Sequence, residues 1–558
     1  MLRLTSFFAA SLAFLQSSWC LQQSTRAVDT VVIGSGVSGL TAAAMLAKVG
    51  HVVEVIESHD VIGGCAHGWE RLGYSFESGP SLYSGFTQGD SSSNPLHNVF
   101  RIIGESPRWI RYDRWGTVLP NIPPFAAKIG PDEFGGVLDK WGGSNARVEW
   151  DRLMAYLLLP GGISDSSQAL SPLLLREDAG AVFTLFRSFK GLRMAVRQGA
   201  TLNAPFIDVV KKLELKNEFV LNWLDLLAFL LQGLPSSGTM NAVIGYMMKD
   251  WYSPNVSLDF PLGGSGEIVK ALSRGVTKHG GSIRLNSHVT SVIVENGRAV
   301  GVKVRGRGAG GKKEEEEIRA RHVVCSADMD MLRKLVPRGA SPGFDAQMDK
   351  STAATPLLAS FIHLHAGIDA SGLPKEASKD LPAQWAVVNS WERGVESPRN
   401  VVLVSVPSLL DPSLAPEGKH ILHAYTPATE LYSDWALLDR SSAEYKEKKK
   451  EAANFLWSAV EKYIPNAREL SDKRVEQVGT PLTHERFLRR AQGSYGPRVP
   501  AGTGTLSSHK TPIPNLYRCG DYTFPGVGIP AAAASGAVTA QTIMSLGDHI
   551  GLLKSIGM

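Results

Sequence analysis

Three glycines near the amino-terminal end, Gly34, Gly36 and Gly39, have the G-x-G-x-x-G spacing of a dinucleotide-binding loop. In such a loop the first glycine permits a tight turn, the second lets the backbone approach a pyrophosphate, and the third allows a helix to pack closely against a strand. The amino terminus of the following helix then faces the phosphate charge. The spacing therefore predicts a pyrophosphate site.

An acidic residue follows this loop at the distance expected for ribose binding. Glu57 lies 18 residues after Gly39, and a carboxylate near this position binds the ribose hydroxyls of a dinucleotide. Its negative charge would repel a 2′-phosphate, so the pattern favours FAD or NAD over NADP.

A second glycine-rich segment, close to the carboxyl-terminal end, distinguishes FAD from NAD. A predicted strand over residues 515–521 ends in an acid, and small residues predict a helix over 531–540. This order would place the acid beside a polyol hydroxyl and the helix amino terminus at the flavin end. FAD has a ribitol and an isoalloxazine that need such contacts, whereas NAD does not, so we predict FAD. The residues expected to contact FAD in this segment are Gly520, Asp521, Gly526, Gly528 and Ile529.

The elements that must position these motifs follow from local patterns. Residues 28–33 form a β-branched run typical of a buried parallel strand. Good helix formers follow over 40–47, and a second strand is predicted over 51–57. This order is that of a Rossmann-type βαβ unit. Further along, an amphipathic helix is predicted over 267–279 and a β-hairpin around the turn at 296–297.

Length and composition limit the remaining possibilities. A chain of 558 residues exceeds the usual size of one hydrophobic core, so at least two domains are expected. The net charge of +5 is slight and no long Lys/Arg tract occurs, which argues against nucleic-acid binding. The four cysteines contain no C-x-x-C pair, so neither a zinc motif nor a disulfide framework is indicated. The charged segment 305–321 is interpreted as a solvated, extended hairpin loop.

The first 27 residues have the pattern of a targeting segment. A short positive start precedes an apolar run over residues 4–15, which is too short to span a membrane and resembles a secretory-type signal. The polar, acid-free stretch over 22–26 that follows is consistent with a short transit extension.

Several motifs resemble those of one flavoprotein family. Gly63 and Gly64, within residues 60–64, are similar to the double-glycine extension of amine-oxidase and phytoene-desaturase flavoproteins, where the backbone passes close to the cofactor. Residues 73–81, 478–487 and 493–497 resemble segments of carotenoid isomerases. The chain is therefore similar to the carotenoid isomerase-like branch of the phytoene desaturase and FAD-dependent amine oxidase superfamily. By motif, this resemblance covers about a quarter of the chain.

The resemblance implies an α/β fold in which a Rossmann-type, amine-oxidase-like FAD-binding domain is interleaved with an α+β substrate domain. It also implies that Val289 lies near the adenine. After the targeting segment 1–27, the predicted FAD-binding parts are 28–115, 256–345 and 476–558, and the predicted substrate parts are 116–255 and 346–475.

The activity implied by the resemblance is a change of one multiple bond in a carotenoid-like polyene: isomerisation, desaturation, saturation or hydration. Arg486 and Tyr495 are the candidate catalytic residues, the first to stabilise negative charge and the second to relay a proton. An apolar substrate and an unidentified reductant or electron acceptor are the expected partners. The histidines His67, His288 and His484 match no metal motif, so no metal is predicted.

Enzymes of this type work in plastids, so the leader is interpreted as a bipartite plastid-targeting segment. Contact with the membrane periphery is expected because carotenoids reside in lipid. The Leu- and Phe-rich segment 219–234 is either a core helix or a lipid-facing helix at the mouth of a substrate tunnel.

Two alternative functions share parts of the pattern. An amine- or porphyrinogen-oxidase-like flavoprotein would use the same FAD motifs. A non-catalytic lipid-binding protein like the Rab GDP-dissociation inhibitors would share the fold, although two intact flavin motifs argue against it.

Overall fold

The computed structural model describes residues 26–78, 82–89, 92–307, 313–502 and 506–558. The predicted targeting segment therefore lies outside the described residues, apart from residues 26 and 27, which belong to the first strand. Residues 79–81, the end of the segment 73–81 that resembles carotenoid isomerases, also lie outside the described ranges.

Nineteen strands form the sheets of the molecule. They are β1 (Arg26–Ile33), β2 (Val53–Ile56), β3 (Gly68–Arg71), β4 (Tyr74–Glu77), β5 (Tyr83–Ser84), β6 (Trp109–Tyr112), β7 (Arg114–Val118), β8 (Phe125–Lys128), β9 (Leu258–Pro261), β10 (Ser282–Arg284), β11 (His288–Glu295), β12 (Arg298–Arg307), β13 (Lys313–Cys325), β14 (His363–Asp369), β15 (Gln384–Val388), β16 (Val401–Ser405), β17 (Lys419–Tyr425), β18 (Gln477–Gly479) and β19 (Leu516–Arg518) within the described ranges.

Seventeen α-helices cover the sheets or form a separate helical layer. They are α1 (Val37–Lys48), α2 (Pro95–Ile103), α3 (Pro131–Trp141), α4 (Ala146–Leu157), α5 (Ile163–Gln168), α6 (Ala181–Leu185), α7 (Phe189–Asn203), α8 (Ile207–Lys212), α9 (Glu218–Gln232), α10 (Asn241–Tyr252), α11 (Gly266–Lys278), α12 (Met329–Leu335), α13 (Pro342–Ala354), α14 (Ala443–Val460), α15 (Pro481–Leu488), α16 (Ile529–Ile543) and α17 (Leu546–Ser555) in the part of the chain that the structure describes.

The first sheet has the order β10-β2-β1-β13-β12-β11, and β19 adds to β13. β1 lies parallel to both β2 and β13, so the predicted βαβ unit is present. Its helix α1 is alanine-rich and almost wholly buried, which allows close backbone packing. The closest approach is to α16, where a Cβ at Gly536 would collide with the carbonyl oxygen of Ser38. Distant parts of the chain are thereby joined at one end of the sheet.

The hairpin of β11 and β12 turns at Asn296 and Gly297, both with positive φ, as predicted. The charged segment that follows, however, was interpreted as a loop and is largely strand. β12 extends to residue 307 and β13 begins at residue 313. Lys303 on β12 forms an ion pair with Glu317, its cross-strand partner on β13. Pairs of opposite charge such as this one stabilise the solvent-exposed pairing of the two strands.

A second sheet has the order β18-β14-β17-β16-β15-β7-β8 and belongs to the predicted substrate region. Two predicted boundaries need correction. The boundary at 115/116 falls inside β7, and β18, assigned to the FAD-binding part, pairs with β14 of this second sheet. Short edge strands are placed by hydrogen bonds to distant partners, which local composition does not reveal.

A helical layer from the first substrate part packs beside the second sheet. Its central helix α9 buries Trp223, Leu224 and Leu227 against Phe134 and other aromatic residues. The predicted segment 219–234 is therefore a core helix over most of its length, and Leu230 and Leu231 near its carboxyl-terminal end are half-buried. Within the described ranges, no helix has the length and apolarity needed to cross a membrane.

Candidate functional site

A cavity of about 300 Å³ lies where the first sheet meets the second. We call it the glycine-lined cavity. It brings together both ends of the chain, because the carboxyl ends of β1, β2 and β13 and the amino terminus of α16 surround it. The sequence-predicted residues that line it are Gly34, Gly36, Glu57, Gly63, Gly64, Val289, Tyr495, Gly520, Asp521, Gly528 and Ile529.

The turn from β1 to α1 has the conformation that the glycine motif predicts. Gly34 has a φ of +93°, in the left-handed region where side chains are strained. A Cβ at Gly39 would collide with the Gly34 carbonyl oxygen, so this glycine packs behind the turn and does not line the cavity. Ser326 Oγ, just after β13, accepts a hydrogen bond from Gly39 N at 3.1 Å and so links the turn to the end of β13.

The double glycine crosses directly over this turn. Gly63 pairs with Gly36 in an isolated parallel bridge, and a Cβ at Gly64 would lie 3.2 Å from Gly36 Cα. Gly63 and Gly64 also have φ values of +120° and +54°. Bare backbone therefore forms two walls of the cavity, which fits a pyrophosphate that needs backbone N–H donors at close range.

Glu57, the predicted ribose-binding acid, lies at one end of the cavity. Its Oε2 accepts hydrogen bonds from Ser35 N at 2.8 Å and Ser35 Oγ at 2.7 Å, and its Oε1 accepts one from His59 N at 2.8 Å. Ser58 Oγ also donates to Oε1, at 3.3 Å. These contacts fix the carboxylate at the end of β2, where it lines the cavity. Val289, on β11, lines the same cavity, and its position near the adenine stays a prediction.

The opposite end of the cavity carries a buried ion pair. Arg490 Nη2 donates to Asp521 Oδ2 at 2.8 Å. Although burial opposes the charged guanidinium, Asp521 and Cys65 raise the pKa of Arg490 well above its ordinary value. The adjoining amino terminus of α16, at Gly528 and Ile529, directs backbone N–H groups into the cavity. Arg490 was missed by sequence reasoning, which had selected Arg486.

The two candidate catalytic residues have different positions. Tyr495 is half-buried and lines the cavity, and desolvation raises the pKa of its phenol to about 12. It is therefore a neutral hydroxyl at physiological pH. Arg486 lies on the exposed side of α15, with its guanidinium over Phe487, and is not among the lining residues. Gly526 also lies outside the lining, although its φ of +113° shapes the turn before α16.

A second, larger cavity of about 870 Å³ adjoins the first. We call it the apolar cavity. Hydrophobic side chains from the helical layer and the second sheet form much of its wall, including Leu230 and Leu231 of the core helix α9. Both cavities share Tyr425, Tyr495 and the segment at residues 527–529 as lining, so they meet at one place. An elongated apolar molecule in the second cavity would thus reach the first.

The three histidines considered in the sequence have different positions. His67 and His288 line the glycine-lined cavity, and burial lowers the pKa of both. His484, on α15, packs against Phe361 with ring centroids 4.0 Å apart, and burial lowers its pKa to about 3. It is not among the lining residues of either cavity.

These features agree with the comparisons with known proteins. The chain belongs to the flavin containing amine oxidoreductase family, whose model matches residues 37–544. It is accordingly an FAD-dependent enzyme of the oxidoreductase and isomerase type, with the Rossmann-type α/β fold predicted from its glycine motifs.

The most informative relatives are enzymes of polyene chemistry. The chain is 29% identical over 523 residues to the chloroplastic prolycopene isomerase of Daucus carota, which covers 93% of this chain and 80% of that protein. It is 25% identical to the all-trans-retinol 13,14-reductase of Danio rerio, over 93% of this chain and 86% of that protein. The predicted resemblance to the carotenoid isomerase-like branch is thereby confirmed.

Solved structures confirm the fold. An oxidoreductase from Methanosarcina mazei superposes with a TM-score of 0.56 at 16% identity, covering 91% of this chain and 98% of that one. A putrescine oxidase superposes with a TM-score of 0.54 at 15% identity, covering 93% and 99%. Identities this low bear on the fold alone.

Replacing Glu57 with Gln tests the adenosine end of the site. The change keeps the side-chain shape but removes the charged acceptor that faces the ribose, and hydrogen bonds to charged groups contribute about 1.5–3 kcal/mol. We expect the FAD dissociation constant to rise about 10- to 100-fold, measured by quenching of flavin fluorescence. Asp60→Asn removes a neighbouring carboxylate whose side chain is 68% exposed, and should leave FAD affinity unchanged. Equal affinity in E57Q and wild type would contradict the assignment.

Proposed function

We propose that this flavoenzyme acts on an apolar, carotenoid-like polyene and isomerises one of its double bonds between cis and trans. The observation that carries the proposal is the junction of the two cavities. The apolar cavity has the volume and lining for a long hydrocarbon chain, and it meets the glycine-lined cavity at Tyr425 and Tyr495. A conjugated chain lying there would reach the flavin end of the site.

The names of the relatives support this substrate class. The prolycopene isomerases of Daucus carota and Arabidopsis thaliana are 29% and 28% identical to this chain. The retinol reductases, at 25%, favour a second candidate, saturation of one double bond in a similar polyene. The two reactions differ in hydrogen balance, because isomerisation leaves the formula of the polyene unchanged and saturation adds two hydrogens.

The residues around the junction suit chemistry on an uncharged substrate. When bound and reduced, FAD supplies an electron pair or hydride to a conjugated system. The chain contributes a water-poor wall and a neutral phenol at Tyr495, which can hold a proton beside the polyene. Arg490, already paired with Asp521, places positive charge near the flavin end without an uncompensated charge in the apolar cavity. A reductant that maintains the reduced flavin is the further partner that this proposal requires.

Replacing Tyr495 with Phe tests the proposed junction. We expect turnover to fall about 100-fold because a proton donor is lost, with FAD content unchanged. Purified enzyme is reduced anaerobically and incubated with cis-polyenes in detergent. The products are separated by chromatography, and their masses are measured by mass spectrometry. Tyr463→Phe is the matched control, since Tyr463 is also a buried tyrosine whose hydroxyl donates to Phe125 O at 2.9 Å and is not among the lining residues of either cavity.

The products decide between the candidate reactions. A changed isomer ratio at constant mass supports isomerisation, and a mass gain of two hydrogens supports saturation instead. Peroxide release with a primary or secondary amine, without any change in the polyene, would favour the amine-oxidase alternative. If Y495F turned over at the wild-type rate, Tyr495 would not be a catalytic residue.

We also propose that the enzyme docks on an anionic lipid surface through α6 and α7. Phe183, Phe186 and Phe189 are each about 60% exposed, and Val182 and Val196 are exposed as well. Residues 181–203 contain four basic residues and no acid. We call this surface the basic aromatic face. Apolar rings flanked by cations are typical of interfacial helices that bind anionic lipid.

The position of this face suits delivery of a lipid-dissolved substrate. α7 packs on α5, and a Cβ at Gly191 would collide with the Ala169 carbonyl oxygen. Gln168 and Leu170, on either side of that contact, line the apolar cavity, as does Asn203 at the end of α7. A bilayer under α6 and α7 would therefore lie close to the wall of the substrate cavity.

A triple change of Phe183, Phe186 and Phe189 to Gln tests this docking. Full burial of one such side chain is worth about 1.5–3 kcal/mol, so we expect vesicle affinity to fall at least tenfold. Flotation with phosphatidylglycerol vesicles, compared with uncharged vesicles, measures the binding. Leu437→Gln is the control, because Leu437 is 98% exposed outside this face. Undiminished flotation of the triple variant would contradict the proposal.

We propose plastid localisation on the basis of the amino-terminal pattern and the chloroplastic relatives. A fluorescent protein fused after residue 40 should accumulate in plastids of an algal or plant host. Accumulation along the ordinary secretory route would contradict this localisation.

A further inference from the structure

Three histidines lie together on one face of the second sheet. His363 and His365 are two residues apart on β14, so their side chains project to the same face. His423 on the adjacent strand β17 is the direct cross-strand partner of His365. We call these three residues the histidine cluster, and we propose that it binds one divalent transition-metal ion.

The spacing of the rings is close to that of a metal site. One ring nitrogen from each of the three histidines lies within 4.8 Å of the other two. His423 Nε2 and His363 Nδ1 are 2.7 Å apart. Two nitrogens bound to one tetrahedral zinc at about 2.0–2.1 Å lie roughly 3.4 Å apart. Metal binding would therefore replace the hydrogen bond of this pair and move its nitrogens apart by less than about 1 Å. The rings of His365 and His423, whose planes are 7° apart, would also have to rotate so that their lone pairs converge on the ion.

The cluster holds its imidazoles in the state that binds metals. All three imidazoles are buried. Neutral imidazole, with one free lone pair, is the form that coordinates. His365 Nε2 lies 3.0 Å from the Glu77 carbonyl oxygen, which can only accept a hydrogen bond. His365 therefore carries its proton on Nε2 and presents the lone pair of Nδ1, the outer-shell arrangement common in metal sites.

The ligand set indicates the class of metal. Three imidazoles and no carboxylate suit zinc, iron, copper or nickel and disfavour magnesium and calcium. His363 also lines the glycine-lined cavity, so the fourth coordination position would face the flavin end of the site. This site is separate from the proposed polyene chemistry and stands or falls independently of it.

Equilibrium dialysis of the FAD-loaded full chain against Zn²⁺, and separately Co²⁺, tests the site. Metal is first removed with a chelator, and bound metal is then counted by plasma mass spectrometry. We expect one equivalent per chain in wild type and at least a 100-fold loss of affinity in His365→Gln or His423→Gln, since even outer-shell partners change metal affinity by about 10–100-fold. X-ray absorption at the zinc edge should show nitrogen ligands at about 2.0–2.1 Å.

His420→Gln is the matched control. His420 is a buried histidine on the same strand, but it projects to the opposite face and contacts Ser408 Oγ at 2.9 Å. It should bind metal like wild type. Retention of FAD by each variant, read from the flavin spectrum, shows that the fold survives. Absence of stoichiometric metal in wild type, or equal metal in a His363→Gln, His365→Gln, His423→Gln triple variant, would overturn the proposal and leave a hydrogen-bonded imidazole stack.

Discussion

The close approach of bare backbone at the carboxyl end of the first sheet is the constraint on which the site depends. Gly39 lies against Gly34, and Gly64 lies against Gly36, at distances that a side chain would not permit. These contacts let a phosphate-bearing cofactor reach main-chain N–H groups instead of a flexible lysine or arginine. The binding energy for the pyrophosphate thus comes from groups that are already ordered before the ligand arrives.

The same constraint explains why the substrate region is inserted into the chain. A cofactor as long as FAD extends beyond the first βαβ unit, so its flavin end needs a second set of contacts. β13 returns to the sheet beside β1, β19 pairs with β13, and α16 then packs on α1 through Gly536. The segments between these returns are free to build the second sheet and the helical layer. Their meeting point with the first sheet is where both cavities join.

Sequence reasoning succeeded where chemistry is set by local spacing. The glycine turn after β1 and the hairpin turn at residues 296–297 each depend on residues that are near one another in the chain. It missed Arg490 because the helical periodicity stops at the end of α15, so sequence spacing does not indicate where the Arg490 side chain points. Arg489 adopts φ +55°, which ends the helix and directs the next side chain inward toward Asp521, while Arg486 stays on the exposed helix face. The histidine cluster was missed for a related reason, since its members come from two strands about 60 residues apart.

The charge distribution at the junction is consistent with a hydrocarbon substrate. Arg490 and Asp521 neutralise each other at the flavin end, and burial keeps Tyr495 and the histidines uncharged. At the junction, an apolar polyene would therefore meet a paired charge and neutral rings, which lowers the desolvation cost of its entry. A divalent ion on the histidine cluster would add net positive charge to the wall shared with the glycine-lined cavity. Such a charge would attract electron density at that end of the cavity, so occupancy of the cluster and the electronic properties of the bound flavin would be linked through space.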